Sequence, residues 1–122
     1  MKIVVCVKAI PDPEIAASIF RVDEAAKRMV PLPGTRSVMS PFDEQALELA
    51  LRIRDALGEG SITLLTLGAE TTRSIVKHGL SLGADDALML VDPLFDDGDS
   101  YTTARALAAA IQRMGGVDLV LT

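Results

Sequence analysis

The sequence contains very little cysteine and few aromatic residues. Cys6 is the single cysteine among 122 residues, tryptophan is absent, and aromatic residues make up only 3% of the chain. A lone cysteine excludes a disulfide within the chain. Because 49% of the residues are nevertheless hydrophobic, the core has to consist of aliphatic side chains and methionine. The length corresponds to a single domain, residues 1–122.

Basic residues are also fewer than acidic ones. The 12 lysines and arginines against 17 aspartates and glutamates give a formal net charge of −5, which argues against a nucleic-acid partner or an anionic membrane surface. No apolar run approaches the roughly 20 residues that cross a bilayer as a helix. Met1 and Lys2 lead directly into a short strand-like run rather than a signal peptide. We therefore expect no membrane span and a cytoplasmic location.

Short aliphatic runs alternate with amphipathic helical segments along the chain. The runs at residues 3–7, 61–67, 87–91 and 117–121 are typical of buried strands. Helical spacing predicts helices over 41–57, 70–82 and from Asp99 or Ser100 to Met114. This alternation predicts an α/β fold with an open parallel sheet and helices on both faces. Right-handed crossovers outward from the first strand then give the strand order 3-2-1-4.

The first strand and the first helix are separated by an unusually long insert, residues 9–39. Four prolines and Gly34 punctuate it, and strand-to-helix connections usually have about 2–6 residues. We expect the insert to be functional or partly disordered. Residues 19–22 and 28–30 could pair within it as a small hairpin.

The first helix begins in the stretch Ser40-Pro41-Phe42-Asp43-Glu44, around which the rest of the chain is organised. Ser40 is a preferred N-cap residue, and Pro41 then occupies the first helical position. Asp43 follows Ser40 by three residues, which predicts an acidic variant of the capping box.

The body of this helix is amphipathic, and Gly58 is expected to end it from the C′ position. Glu48 and Arg52 should form an i,i+4 ion pair on the outer side. Apolar residues recur at helical spacing and predict the inner face of the helix: Ala46, Leu49, Ala50, Ile53 and Leu57.

The strand order reverses direction between the first and fourth strands, and ligands of open α/β sheets bind at such a point, beyond the carboxyl ends of the strands. Residues 6–8 and the helix start at Ser40–Asp43 should meet there. The N–H groups of a helix start can hold a phosphate. On the local pattern alone, the favoured alternative is a helix start that satisfies its own caps and binds nothing.

No motif for catalysis or metal binding is visible. The chain lacks both G-x-G-x-x-G and the phosphate-binding loop G-x-x-x-x-G-K-[ST]. We interpret Cys6 as a small buried residue rather than a nucleophile, and His78 as a solvated or half-buried side chain. The acidic loop at 96–99 lacks the spacing of a calcium loop. These observations predict a nucleotide-sized pocket without an acid, base or nucleophile.

Four segments together resemble the electron transfer flavoprotein β subunits. Residues 2–8 with Pro11-Asp12 resemble the opening of those proteins, and residues 40–48 resemble their Asn-Pro-Phe/Tyr-Asp-Glu helix start. Residues 80–85 are similar to the end of their second helix, and residues 117–121 to their fourth strand.

The resemblance implies a β chain that pairs with an α chain and carries electrons from flavin dehydrogenases to an acceptor. It implies that the β chain holds AMP, or a second FAD in electron-bifurcating members. Residues 7–12 and 97–101 are more similar to the bifurcating or nitrogen-fixation-linked branch than to the other members. By position, the resemblance assigns the nucleotide contacts to Cys6, Ser40, Pro41, Phe42, Asp43 and Leu67.

The sequence departs from the family pattern in two places. Ser40 stands where the family usually has Asn, and the chain stops at Thr122, where the family's phosphate-binding loop and second half would follow. We therefore expect this chain to bind AMP or FAD weakly or not detectably, and to self-associate through the unpaired fourth strand. The alternatives are a generic adenine-nucleotide-binding module of the stress-protein or ATP-dependent enzyme type and an interaction fragment without a ligand.

Overall fold

The computed structural model describes residues 1–16, 18, 20–31, 33–95 and 98–122. Its centre is a four-stranded parallel sheet of β1 (Lys2–Cys6), β6 (Ser61–Leu67), β7 (Asp86–Leu90) and β8 (Leu119–Leu121). The strands lie in the order β7-β6-β1-β8, which confirms the predicted order 3-2-1-4. The strand β8 is two residues shorter than predicted, because pairing with β1 begins only where Ile3 lies opposite Leu119.

The middle of β1 lies at the centre of the molecule. Val4 pairs with Thr63 of β6 on one side and with Val120 of β8 on the other. Ile3, Val4 and Val5 are fully buried, as expected for a continuous apolar strand that is covered on both faces.

Helices cover both faces of this sheet. The helices α1 (Pro41–Leu57) and α2 (Arg73–Ser81) pack on the face that carries Ile3 and Leu64, and a 3₁₀ turn at Glu70–Thr72 precedes α2. The helix α3 (Ser100–Met114) follows a 3₁₀ turn at Pro93–Phe95. It lies on the opposite face, against β6. Within the described residues, none of the helices is long and apolar enough to cross a membrane.

The insert contains two small antiparallel ribbons. The strand β2 (Ala9–Pro11) pairs with β5 (Ser37–Met39), which places the end of the insert beside the segment that follows β1. The strand β3 (Phe20–Asp23) pairs with β4 (Arg28–Pro31). The predicted hairpin is therefore confirmed over the described residues, whereas Ile19, its predicted first residue, lies outside them. The pairing of β2 with β5 was not predicted.

The predicted limits of α1 are confirmed, but part of its predicted inner face is wrong. Gly58 ends the helix in the left-handed conformation, with φ of 71°, and its N–H bonds to the Arg54 carbonyl. The predicted ion pair between Glu48 and Arg52 is present at 2.7 Å. Leu49 and Leu57, however, are about half exposed, and the residues buried against the sheet are Asp43, Leu47 and Ala50. The sheet contacts the side of the helix next to the apolar stripe rather than its centre.

Candidate functional site

A cavity of about 260 Å³ lies at the carboxyl edge of the sheet, between β1, β6, the start of α1 and the first half of α3. Its position is the one predicted from the reversal of the strand order. Residues from all four elements and from the end of the chain line it: Cys6, Val7, Lys8, Asp43, Leu65, Leu67, Thr103, Leu107 and Thr122.

The start of α1 is hydrogen-bonded to the segment that follows β1. The Lys8 backbone N–H donates to Oδ2 of Asp43 at 2.7 Å, and the Ser40 N–H donates to the Lys8 carbonyl at 3.1 Å. Both Asp43 and Ser40 are buried, with 8% and 2% of their surface exposed. These two bonds fix the first turn of the helix against the rim of the cavity.

The same bonds show that the predicted capping box is wrong. The Ser40 side chain makes no capping hydrogen bond. The carboxylate of Asp43 cannot accept from the Ser40 N–H, because that N–H is already paired with the Lys8 carbonyl. The first intrahelical bond runs from the Glu44 N–H to the Ser40 carbonyl. The helix itself therefore leaves the preceding N–H groups of Phe42 and Asp43 unpaired, with the positive end of the helix dipole beside them.

The Cys6 side chain lines the cavity as a neutral thiol. Burial raises the pKa of Cys6 above its ordinary value, and the negative charge of Asp43 raises the pKa further. A thiol with a raised pKa contains little thiolate at neutral pH and is a poor nucleophile. This agrees with the interpretation of Cys6 as a small, partly buried wall residue.

The structure brings three of the six predicted contact residues together in this cavity: Cys6, Asp43 and Leu67. Ser40 is buried behind the rim, Pro41 lies on the exposed side of α1, and Phe42 is 78% exposed on that helix. Thr103 and Leu107 of α3 also line the cavity and were not predicted. The fact that α3 crosses back over the sheet could have pointed to them, because its first half has to pass the carboxyl edge.

The other candidate residues have local partners. Nε2 of His78 lies 3.1 Å from Oε1 of Glu44, which joins α2 to α1. Asp99 caps α3 by accepting from the Thr102 N–H at 2.8 Å, whereas Asp96 and Asp97 of the same loop lie outside the described residues. In the part of the chain that the structure describes, no group of three or more His, Cys, Asp or Glu side chains could hold a metal ion.

Comparison with known proteins identifies the family. Residues 33–122 match the family model described as "Electron transfer flavoprotein domain". The chain belongs to the electron transfer flavoprotein family. The β subunit of an electron transfer flavoprotein from Megasphaera elsdenii is 38% identical to it over 114 residues, which are 93% of this chain and 40% of that protein. The predicted resemblance to the β subunits is thus confirmed.

Two further curated relatives match over nearly the whole of this chain. Subunit CarD of the caffeyl-CoA reductase-Etf complex of Acetobacterium woodii is 34% identical over 99% of this chain and 44% of its own length. Protein FixA of Azorhizobium caulinodans is 36% identical over 94% of this chain and 39% of its own length. The chain thus spans about two fifths of the length of these flavoprotein relatives.

The cavity is small, and its walls are mostly apolar. Its volume of about 260 Å³ is just below the roughly 300–1,000 Å³ of sites for drug-sized ligands. Val7, Leu65 and Leu67 supply apolar walls, and Asp43 supplies a polar group at the rim. This combination of apolar surface with few polar groups is typical of cofactor sites.

Proposed function

We propose that this chain is the nucleotide-binding part of an electron transfer flavoprotein β subunit and that its cavity holds the adenylate part of AMP or FAD. In this proposal the β subunit works in the cytoplasm and pairs with an α subunit. The pair carries electrons from flavin dehydrogenases to an acceptor. The observation that supports nucleotide binding most directly is the bond between the Lys8 N–H and Asp43, because it holds an uncapped helix start open beside an apolar cavity.

Different residues of the cavity would bind different parts of the nucleotide. Leu65 and Leu67 would pack against the base, as apolar walls do in cofactor sites. Oδ2 of Asp43 is bonded to the Lys8 N–H, so Oδ1 would remain to accept from an amino or hydroxyl group of the nucleotide. The N–H groups at the start of α1 and the Lys8 ammonium would attract the phosphate.

The bound group determines what chemistry the subunit can support. FAD supplies one- and two-electron transfer through its flavin ring, whereas AMP supplies no redox chemistry. The residues of this chain would bind and orient the adenylate and exclude water from it. The neutral Cys6 thiol would not react with it, because its raised pKa keeps it protonated.

Calorimetric titration of AMP into the 122-residue chain tests this proposal. We expect weak but saturable binding, which Asp43→Asn weakens because the uncharged amide is a poorer acceptor for the nucleotide. Asp55→Asn is the matched control, since Asp55 lies exposed on the same helix and outside the cavity. Binding that is absent in the wild type, or equally affected by both substitutions, would contradict the proposal. Co-purification with a coexpressed α subunit tests the pairing separately.

A further inference from the structure

We draw no further inference here: the strongest candidate, the cavity of about 570 Å³ between β5 and the first turns of α1 and α2, which Arg36, Glu44 and His78 line, carries nothing, because all three of these side chains are exposed, Glu44 and His78 already pair with each other, and nothing in the structure shows what occupies or covers the cavity.

Discussion

The helices α1 and α3 begin in opposite ways, although each is preceded by a residue that caps helices well. At α3 the Asp99 side chain accepts from the Thr102 N–H at 2.8 Å and from the Thr102 hydroxyl at 2.9 Å. At α1 the Ser40 side chain makes no capping bond. The carboxylate that follows, Asp43, accepts from the Lys8 N–H instead.

The start of α3 is closed by its own residues, whereas the start of α1 is held by a distant segment of the chain. The first turn of α3 is complete after three residues and needs no other part of the chain. The first turn of α1 depends on a contact with a residue 35 positions earlier, and Asp43 of that turn lines the cavity. An uncapped helix start keeps N–H donors that a ligand can use, whereas at α3 the Asp99 side chain already occupies the Thr102 N–H.

Among the substitutions that test this comparison, removal of the Asp43 carboxylate should change the free energy of unfolding most. Asp43→Ala leaves the part-buried Lys8 N–H without its acceptor, which costs about 1–3 kcal/mol in the free energy of unfolding. Asp43→Asn retains an acceptor oxygen and should lose clearly less. Urea unfolding of the three proteins measures both values. Equal losses in the two variants would show that the charge of Asp43, rather than the bond to Lys8, holds the start of α1.

The second-largest effect is expected on thermal stability, when the cap residues Asp99 and Ser40 are each replaced by alanine. Asp99→Ala removes two hydrogen bonds to Thr102, and we expect it to lower the melting temperature more than Ser40→Ala does. Ser40→Ala should cost less than the ~1 kcal/mol of a typical lost N-cap, because the hydroxyl makes no capping bond. Thermal unfolding of both variants under one set of conditions ranks them. The reverse order would mean that Ser40 caps α1 in solution.

The start of α3 should also respond to acid. Hydrogen bonds from the backbone N–H and the hydroxyl of Thr102 lower the pKa of Asp99. A carboxyl group with a lowered folded-state pKa stabilises the protein above its ordinary pKa, and that contribution disappears as the pH falls through the folded-state value. Stability measured from neutral to acid pH should therefore fall less steeply in Asp99→Asn than in the wild type. If stability depended on pH identically in the two proteins, titration of Asp99 would not contribute to the stability of the start of α3.

The smallest effect is expected at Cys6. Because burial is the larger cause of its raised pKa and Asp43 the smaller, Asp43→Asn should lower the pKa of Cys6 while leaving it above the ordinary value of a thiol. The pH dependence of alkylation by iodoacetamide reports this pKa. A pKa that returns fully to the ordinary value would show that the charge dominates over burial.

Much of the fold follows from patterns along the sequence, and the exceptions have physical reasons. The limits of α1 were predictable from Pro41 and Gly58, because proline and glycine mark helix ends directly. The strand order followed from the alternation of elements and the handedness of crossovers. The pairing of β2 with β5 was not predictable, since strands of three residues are too short to show a period.

The site was less predictable than the fold. Periodicity cannot distinguish the sheet-facing side of α1 from its uncovered side, which carries Phe42 and Leu49, because both sides are apolar. The true partner of Asp43 was also hidden, since a serine and an aspartate three residues apart give the same pattern whether the carboxylate caps the helix or bonds to Lys8. Tertiary contacts decide both questions, and the sequence records them only indirectly.

Titration of AMP into the isotopically labelled chain, followed by NMR, tests the central claim most directly. It compares the backbone amides at residues 42–44 of α1, which follow Pro41, with those at residues 100–103 of α3 in a single experiment. Our account predicts saturable shifts at the start of α1 and at residues 6–8, and none at the capped start of α3. Shifts of equal size at both helix starts, or shifts at α3 alone, would contradict the assignment of the nucleotide site to the uncapped start of α1.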